Sequence, residues 1–268
     1  MQEKKIQESI LVFDIETIPD INGLYKLELI KEENNDALNE YLKQKKEQTG
    51  SDFLPLHLHK VIAISCVLRR NNKEKSEIYI GSLGNLDSSE AQIIQKFYDL
   101  IDKYQPQLIS WNGSGFDLPV LHYRGLINGV NAYQYWDMGD RKDYNSREYK
   151  WNNYVNRYHL RHIDLMEVLA MFQSKLYAKL DDIAKLCNLP GKLGMDGSQV
   201  WTQYQQGNLK EIRDYCETDV ANTYLVYQKF NSMRYAIPEN FEQEKQLLID
   251  NLDDSCPHWR EYLVKMAI

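Results

Sequence analysis

Residues 9–15 read Ser-Ile-Leu-Val-Phe-Asp-Ile, a near-continuous apolar run with β-branched members. Such a run suits a central strand covered on both faces, and a strand of that kind requires helical layers above and below it. The rest of the chain offers them. His59–Leu68 reads as a second strand and Ser76–Ile80 as a third, joined by a hairpin at Asn71-Asn72, where left-handed backbone angles are tolerated. Ser88–Tyr104 is an amphipathic helix capped by Ser89, with Ile93, Ile94, Phe97, Leu100, Ile101 and Tyr104 on one face and Pro106 ending it. Gln107–Trp111 is the next strand.

Residues 24–50 are charged, with apolar positions at Leu27, Ile30, Leu38, Tyr41 and Leu42 that suggest helices lying over the first strand. His162–Phe172 reads as a short extended start followed by helix, and Lys179–Cys187 as a further helix. Asn208–Arg234 is a long helix closed by Pro238, and the charged tail, 239–268, is partly helical. Strands first, then strand–helix alternation, predict an α/β fold with a mixed sheet flanked by helices. No repeat or flexible linker divides the 268 residues, so one domain spanning 1–268 is expected.

The central run ends in acid. Asp14 and Glu16 are two residues apart on a strand and project from the same face, at the end where open α/β sheets bind ligands. Ionised carboxylates in an apolar run cost several kcal/mol unless something positive satisfies them. A divalent cation of the Mg²⁺ or Mn²⁺ kind suits oxygen donors of this sort, while a solvated strand end is the plainer alternative for the pair alone. A second carboxylate follows the strand ending at Trp111, in Asn112-Gly113-Ser114-Gly115-Phe116-Asp117-Leu118-Pro119. There Asp117 falls in or just before a helical first turn, where capping is a common role. No lysine follows at the spacing of a nucleotide-binding loop. A third lies in Tyr215-Cys216-Glu217-Thr218-Asp219, where Tyr215 and Asp219 share a helix face that points inward. A hydrogen-bonded Tyr–Asp pair is the plain reading of that spacing.

Composition narrows the field. No apolar stretch approaches the ~18 residues of a membrane span, and the N-terminus lacks a secretory core, so a cytoplasmic protein is expected. Cys66, Cys187, Cys216 and Cys256 are too far apart for a zinc cage and read as reduced thiols. The formal net charge of −7 disfavours a protein that coats long DNA or an anionic membrane.

Taken in order, Asp14-Ile15-Glu16-Thr17, Asn112-x3-Phe116-Asp117-x-Pro119 and Tyr215-x3-Asp219 resemble the three motifs of DEDDy-type 3′–5′ exonucleases of the DnaQ-like superfamily. The resemblance is strongest to the proofreading domain of family-B DNA polymerases and to stand-alone bacterial exonucleases of that type. It runs from about residue 10 to 232, with too few residues left for a polymerase. It implies a ribonuclease H-like fold and a two-metal hydrolysis that releases nucleoside 5′-monophosphates from a 3′ end. Carried onto this chain, the resemblance implies that Asp14 bridges two ions, Mg²⁺ or Mn²⁺, and that Glu16 and Asp219 complete the one that activates water. Asp117 then holds the other ion, and Tyr215 orients the attacking water. Thr17 and Ile18 match positions that touch the terminal nucleotide, and Asn112 and Phe116 positions that hold the penultimate one.

The expected substrate is a single-stranded DNA 3′ end. An exoribonuclease on short RNA and a catalytically silent nucleic-acid-binding protein are the alternatives. Residues 131–161 interleave aromatics such as Tyr133, Tyr135, Trp136, Tyr144, Tyr149 and Trp151 with Arg141, Lys142, Arg147 and Arg161, a mixture suited to single strands or simply to packing. His57, His59, His159 and His162 show no ligand spacing, and Asp164 reads either as a support for the acid site or, more simply, as a structural strand-end residue.

Overall fold

The computed structural model describes residues 9–71, 76–142, 145–235 and 239–266. The apolar run lies in β1 (Ser9–Pro19), followed by α1 (Ile21–Lys26) and α2 (Asn35–Thr49). Then come β2 (His59–Asn71), β3 (Ser76–Ser82), α3 (Glu90–Tyr104), β4 (Gln107–Ser110) and α4 (Asp117–Ile127). The remaining elements are β5 (His162–Asp164), α5 (Leu165–Leu169), α6 (Leu180–Leu186), α7 (Val200–Gln205), α8 (Leu209–Tyr235), α9 (Glu239–Ile249) and α10 (Pro257–Met266). The strand order is β3-β2-β1-β4-β5. The first three strands are antiparallel neighbours, and β4 and β5 continue the sheet in parallel. This mixed, helix-flanked sheet is the α/β class expected and is consistent with a ribonuclease H-like fold.

Alternation along β1 sorts its side chains between two cores. Leu11, Phe13 and Ile15 pack with Ile93, Ile94 and Phe97 of α3 and Leu118 and Leu121 of α4. Ile10 and Val12 pack on the other face with Val220, Ala221 and Tyr224 of α8. Asp14 and Glu16, in the same phase as Ile10 and Val12, therefore face α8. The α3 cap forms as expected, with a reciprocal Ser89–Gln92 capping box.

Several expectations are corrected. β1 does not end at the carboxylate pair but runs to Pro19, because β2 stays paired beside it, with a bulge between Glu16 and Thr17. The helices of 24–50 do not roof β1. Leu24, Ile30 and Leu38 gather with Leu54 and Leu58 into a separate small cluster, and Leu27 is left exposed. The aromatic segment divides between packing and surface: Tyr135, Tyr149 and Tyr154 are buried, Tyr135 and Tyr154 stack 5.4 Å apart, and Arg161 lies over Tyr149. Within it, Tyr133, Trp136, Trp151 and Tyr158 are exposed, and Tyr144 lies outside the described residues. Asn72, of the expected hairpin, and Pro238 also lie outside them.

Candidate active site

Past Val12, β4 no longer pairs with β1, so the β1 edge opens beside the acid pair. The chain leaving β4 turns sharply there. Asn112 is left-handed (φ 67°), and a Cβ on Gly113 would collide with Ser110 Oγ. Asp164 holds this turn by accepting from Asn112 N (3.0 Å) and Ser114 N (2.9 Å), while the same carboxylate caps α5 at Met166 N and Glu167 N. The turn delivers Asp117 as the first residue of α4. It does not cap that helix. Its Oδ1 accepts from Ile15 N at 3.2 Å, satisfying the β1 donor that β4 has abandoned.

From the opposite side α8 contributes Tyr215, Cys216 and Asp219. Ligand atoms of Asp14, Glu16 and Cys216 all lie within 4.8 Å of one another. Glu16, Asp117, Asp219 and Tyr215 are each less than 10% exposed. The structure thus brings the four predicted carboxylates and the tyrosine to one place, from three elements.

The electrostatics of that place are unbalanced. Burial raises the Asp14 carboxyl well above its ordinary value, and the Asp117 and Asp219 charges raise it further. Glu16 is raised by burial and then by Asp14 and Asp219. Burial pushes Asp117 up to about 7, and Asp219 is raised by burial despite Lys192 pulling it down. Tyr215 is raised by burial and by the carboxylates of Asp219, Glu16 and Asp14, so its phenol keeps its proton at neutral pH. Asp219 Oδ1 is buried with no hydrogen-bond partner. Clustered acids with an orphaned oxygen fit a divalent cation of the hard, oxygen-seeking kind.

Lys192, which the motifs do not contain, is the cation the sequence reading missed. Its Nζ donates to the Tyr215 hydroxyl and lies 3.6 Å from Asp219 Oδ2. Gly191 (φ 67°) lets the chain fold over Asp181, whose Oδ1 accepts from Lys192 N at 2.8 Å, and Asn222 of α8 donates to Gly191 O. Only the Pro190-Gly191 turn hints at this in the sequence.

The predicted nucleotide contacts divide. Thr17 Oγ1 donates to His59 Nδ1 (3.0 Å), and His59 Nε2 in turn donates to Leu54 O. Ile18 is 4% exposed, packed with Ile62, Val200, Ile212 and Tyr215, so only its backbone remains for a ligand. Phe116 is half-buried and forms an aromatic rim with His59 (5.2 Å, edge-on) and the exposed Phe53 (6.0 Å). Phe53 was not foreseen, because an isolated Phe in a loop carries no signal. Asn112 serves the turn through its backbone. His162 is buried against Ser110 Oγ and pushed down to about 4 by that burial, so it is neutral and outside the acid cluster.

No curated protein matches the chain significantly. A family model does, over residues 51–266. That span holds Asp117, Lys192, Tyr215 and Asp219 but not β1, which pairs along its whole length with the matched β2. Since the match covers most of the chain, the protein belongs to the family of predicted 3′–5′ exonucleases related to the exonuclease domain of PolB.

Proposed function

We propose that the protein is a metal-dependent 3′–5′ exonuclease that removes nucleoside 5′-monophosphates from the 3′ end of single-stranded DNA. The observation that carries this reading is the convergence of Asp14, Glu16, Asp117 and Asp219 in one cluster of acids raised by burial and by one another, with a half-buried Lys192 against Asp219. Bound there, two Mg²⁺ or Mn²⁺ ions supply Lewis-acid stabilisation of the charge that develops on the phosphate. Asp14 and Glu16, with Asp219, are the residues to hold one ion, and Asp14 with Asp117 the other.

The chain's own residues do the rest. Tyr215 stays protonated, so it orients the attacking water by hydrogen bonding and does not take its proton. Lys192 fixes the phenol by donating to its oxygen while the phenolic O–H donates to Asp219, which leaves one oxygen lone pair to accept from water. The rim of Phe53, His59 and Phe116 offers ring faces to unstacked bases, a sequence-tolerant contact worth ~1–3 kcal/mol per base. Thr17 is held by neutral His59 at the foot of that rim.

The test is release of mononucleotides from 3′-labelled single-stranded DNA and RNA, with Mg²⁺, Mn²⁺ or EDTA. Hydrolysis of DNA with either ion, abolished by EDTA and reduced by a factor of order 10³ in Asp14→Ala, is the expected result. Preference for RNA would replace the substrate, and no hydrolysis of either polymer by wild type would overturn the enzyme reading.

A further inference from the structure

We infer that Cys216 adds a sulfur ligand to the carboxylate site and gives it a second, tighter mode of metal binding, selective for a thiophilic divalent ion such as Zn²⁺. This rests on the reading that Asp14, Glu16 and Asp219 hold divalent cations, and it concerns a residue to which that reading assigns nothing. Cys216 is fully buried, with Sγ 3.6 Å from Asp14 Oδ2 and 3.5 Å from the Asp14 carbonyl oxygen. Donors on one tetrahedral zinc, with bonds of ~2.0–2.3 Å, stand about 3.3–3.8 Å apart, so the sulfur and the carboxylate oxygen are already at a shared-ion spacing. Glu16 offers a third donor within 4.8 Å of both.

A further carboxylate, outside that 4.8 Å group, lies on the same helix with one oxygen against Lys192. Cys216 and Asp219 are three residues apart on α8 and share a face. The Asp219 side chain is 6% exposed, and its Oδ1 is buried without a partner. A thiol donates only weakly to oxygen, so the two contacts to Asp14 do not by themselves account for a sulfur at this place. Hard ions ignore it. Mg²⁺ and Mn²⁺ favour carboxylate and water, whereas sulfur favours zinc and its heavier congener cadmium. When such an ion enters, the Cys216 S–H bond breaks, its proton passes to solvent and the S–metal bond forms in its place. The ion then occupies ligands that hydrolysis needs, so a small excess of zinc acts as a brake on the enzyme.

The experiment is titration of the purified, metal-free chain with Cd²⁺, Zn²⁺ and Mn²⁺, followed by calorimetry and, for Cd²⁺, by near-ultraviolet thiolate-to-metal absorption. Wild type is expected to develop the absorption band and to bind Zn²⁺ and Cd²⁺ at least about tenfold more tightly than Cys216→Ser or Cys216→Ala. Mn²⁺ affinity is expected to be the same in all three. Circular dichroism matching wild type establishes that each Cys216 variant is folded, and Cys256→Ser, altering a half-buried thiol remote from Asp14 in sequence, is expected to keep both the band and the affinity. Equal Cd²⁺ affinity and an undiminished band in both Cys216 variants would overturn the inference while leaving Mn²⁺ binding, and the exonuclease reading, intact. Absence of Mn²⁺ binding to wild type would overturn both.

Discussion

Asp117 shows how one residue is held in this site: it has one backbone donor, Ile15 N at the vacant β1 edge, and among the described residues no ion-pair partner. Its folded-state carboxyl is raised to about 7 by burial, whereas an unfolded Asp titrates near ~3.9. The fold thus prefers the neutral acid. Stability from this preference is fully present below the unfolded value and is lost as pH rises through about 7. Metal-free wild type is therefore expected to lose thermal stability between pH 4 and 7. Asp117→Asn, which keeps the oxygen facing Ile15 N, is expected to match wild type near pH 4 and to melt higher at pH 8, while its hydrolysis falls by a factor of order 10³. Thermal melts in EDTA across that range test it, and a variant less stable than wild type at pH 8 would contradict the sign. Saturating Mn²⁺ is expected to raise the wild-type melting temperature at pH 8 and to do so less in the variant. Tyr215→Phe removes only an orienting hydroxyl, so a smaller loss, of order 10²-fold in kcat, is expected with substrate KM little changed.

At the scale of elements, the turn between β4 and α4 depends on one carboxylate borrowed from β5. Asp164 caps α5 and holds the backbone of 112–114, so Asp164→Ala is expected to cost about 2–4 kcal/mol, the loss of a cap plus buried donors left unpaired. Asp164→Asn keeps one acceptor oxygen and is expected to fall between, as denaturant melts would read. The sequence reading of Asp164 as a structural strand-end residue holds, and the structure adds that it positions Asp117. Secondary elements were largely legible, because their boundaries carry local signals such as the Ser89 cap and the strand-period run of β1. The short helices α1 and α7 and the loop that carries Lys192 were not, since few residues and no clear period mark them.

Across the whole molecule, the carboxy-terminal helices belong to the main core. Phe241, Leu248, Trp259 and Tyr262 pack in the same cluster as Val12 and Tyr224. Glu244 of α9 reaches the sheet, meeting Arg69 of β2 through Nε (3.1 Å) and Nη2 (2.5 Å) and accepting from Tyr224 of α8. Removing one partner of so buried a pair leaves an uncompensated charge. Arg69→Met is therefore expected to destabilise by about 3–5 kcal/mol, and the double variant with Glu244→Gln to recover part of that, measured by chemical denaturation. Independent, additive losses in the double variant would show that the pair does not tie α9 to the sheet. Among the described residues no helix is long and apolar enough to cross a membrane, in agreement with the short apolar runs of the sequence.

What the sequence determined by itself is what short-range geometry can carry. A period of two puts Asp14 and Glu16 on one face of a strand, a period of 3.6 puts Tyr215, Cys216 and Asp219 near one face of a helix, and the ordered motifs indicate that these faces belong to one site. Only the tertiary structure decided how they meet. Asp117 reaches Ile15 across 102 residues and Cys216 reaches Asp14 across 202, and no local pattern encodes such pairings. The same holds for Lys192, brought to Tyr215 by a glycine turn, and for Ile18, whose side chain the α7–α8 packing buries. Periodicity sets the direction of a side chain along its own element, whereas the neighbour it meets, and so its charge state and its access to a ligand, follow from which elements pack together.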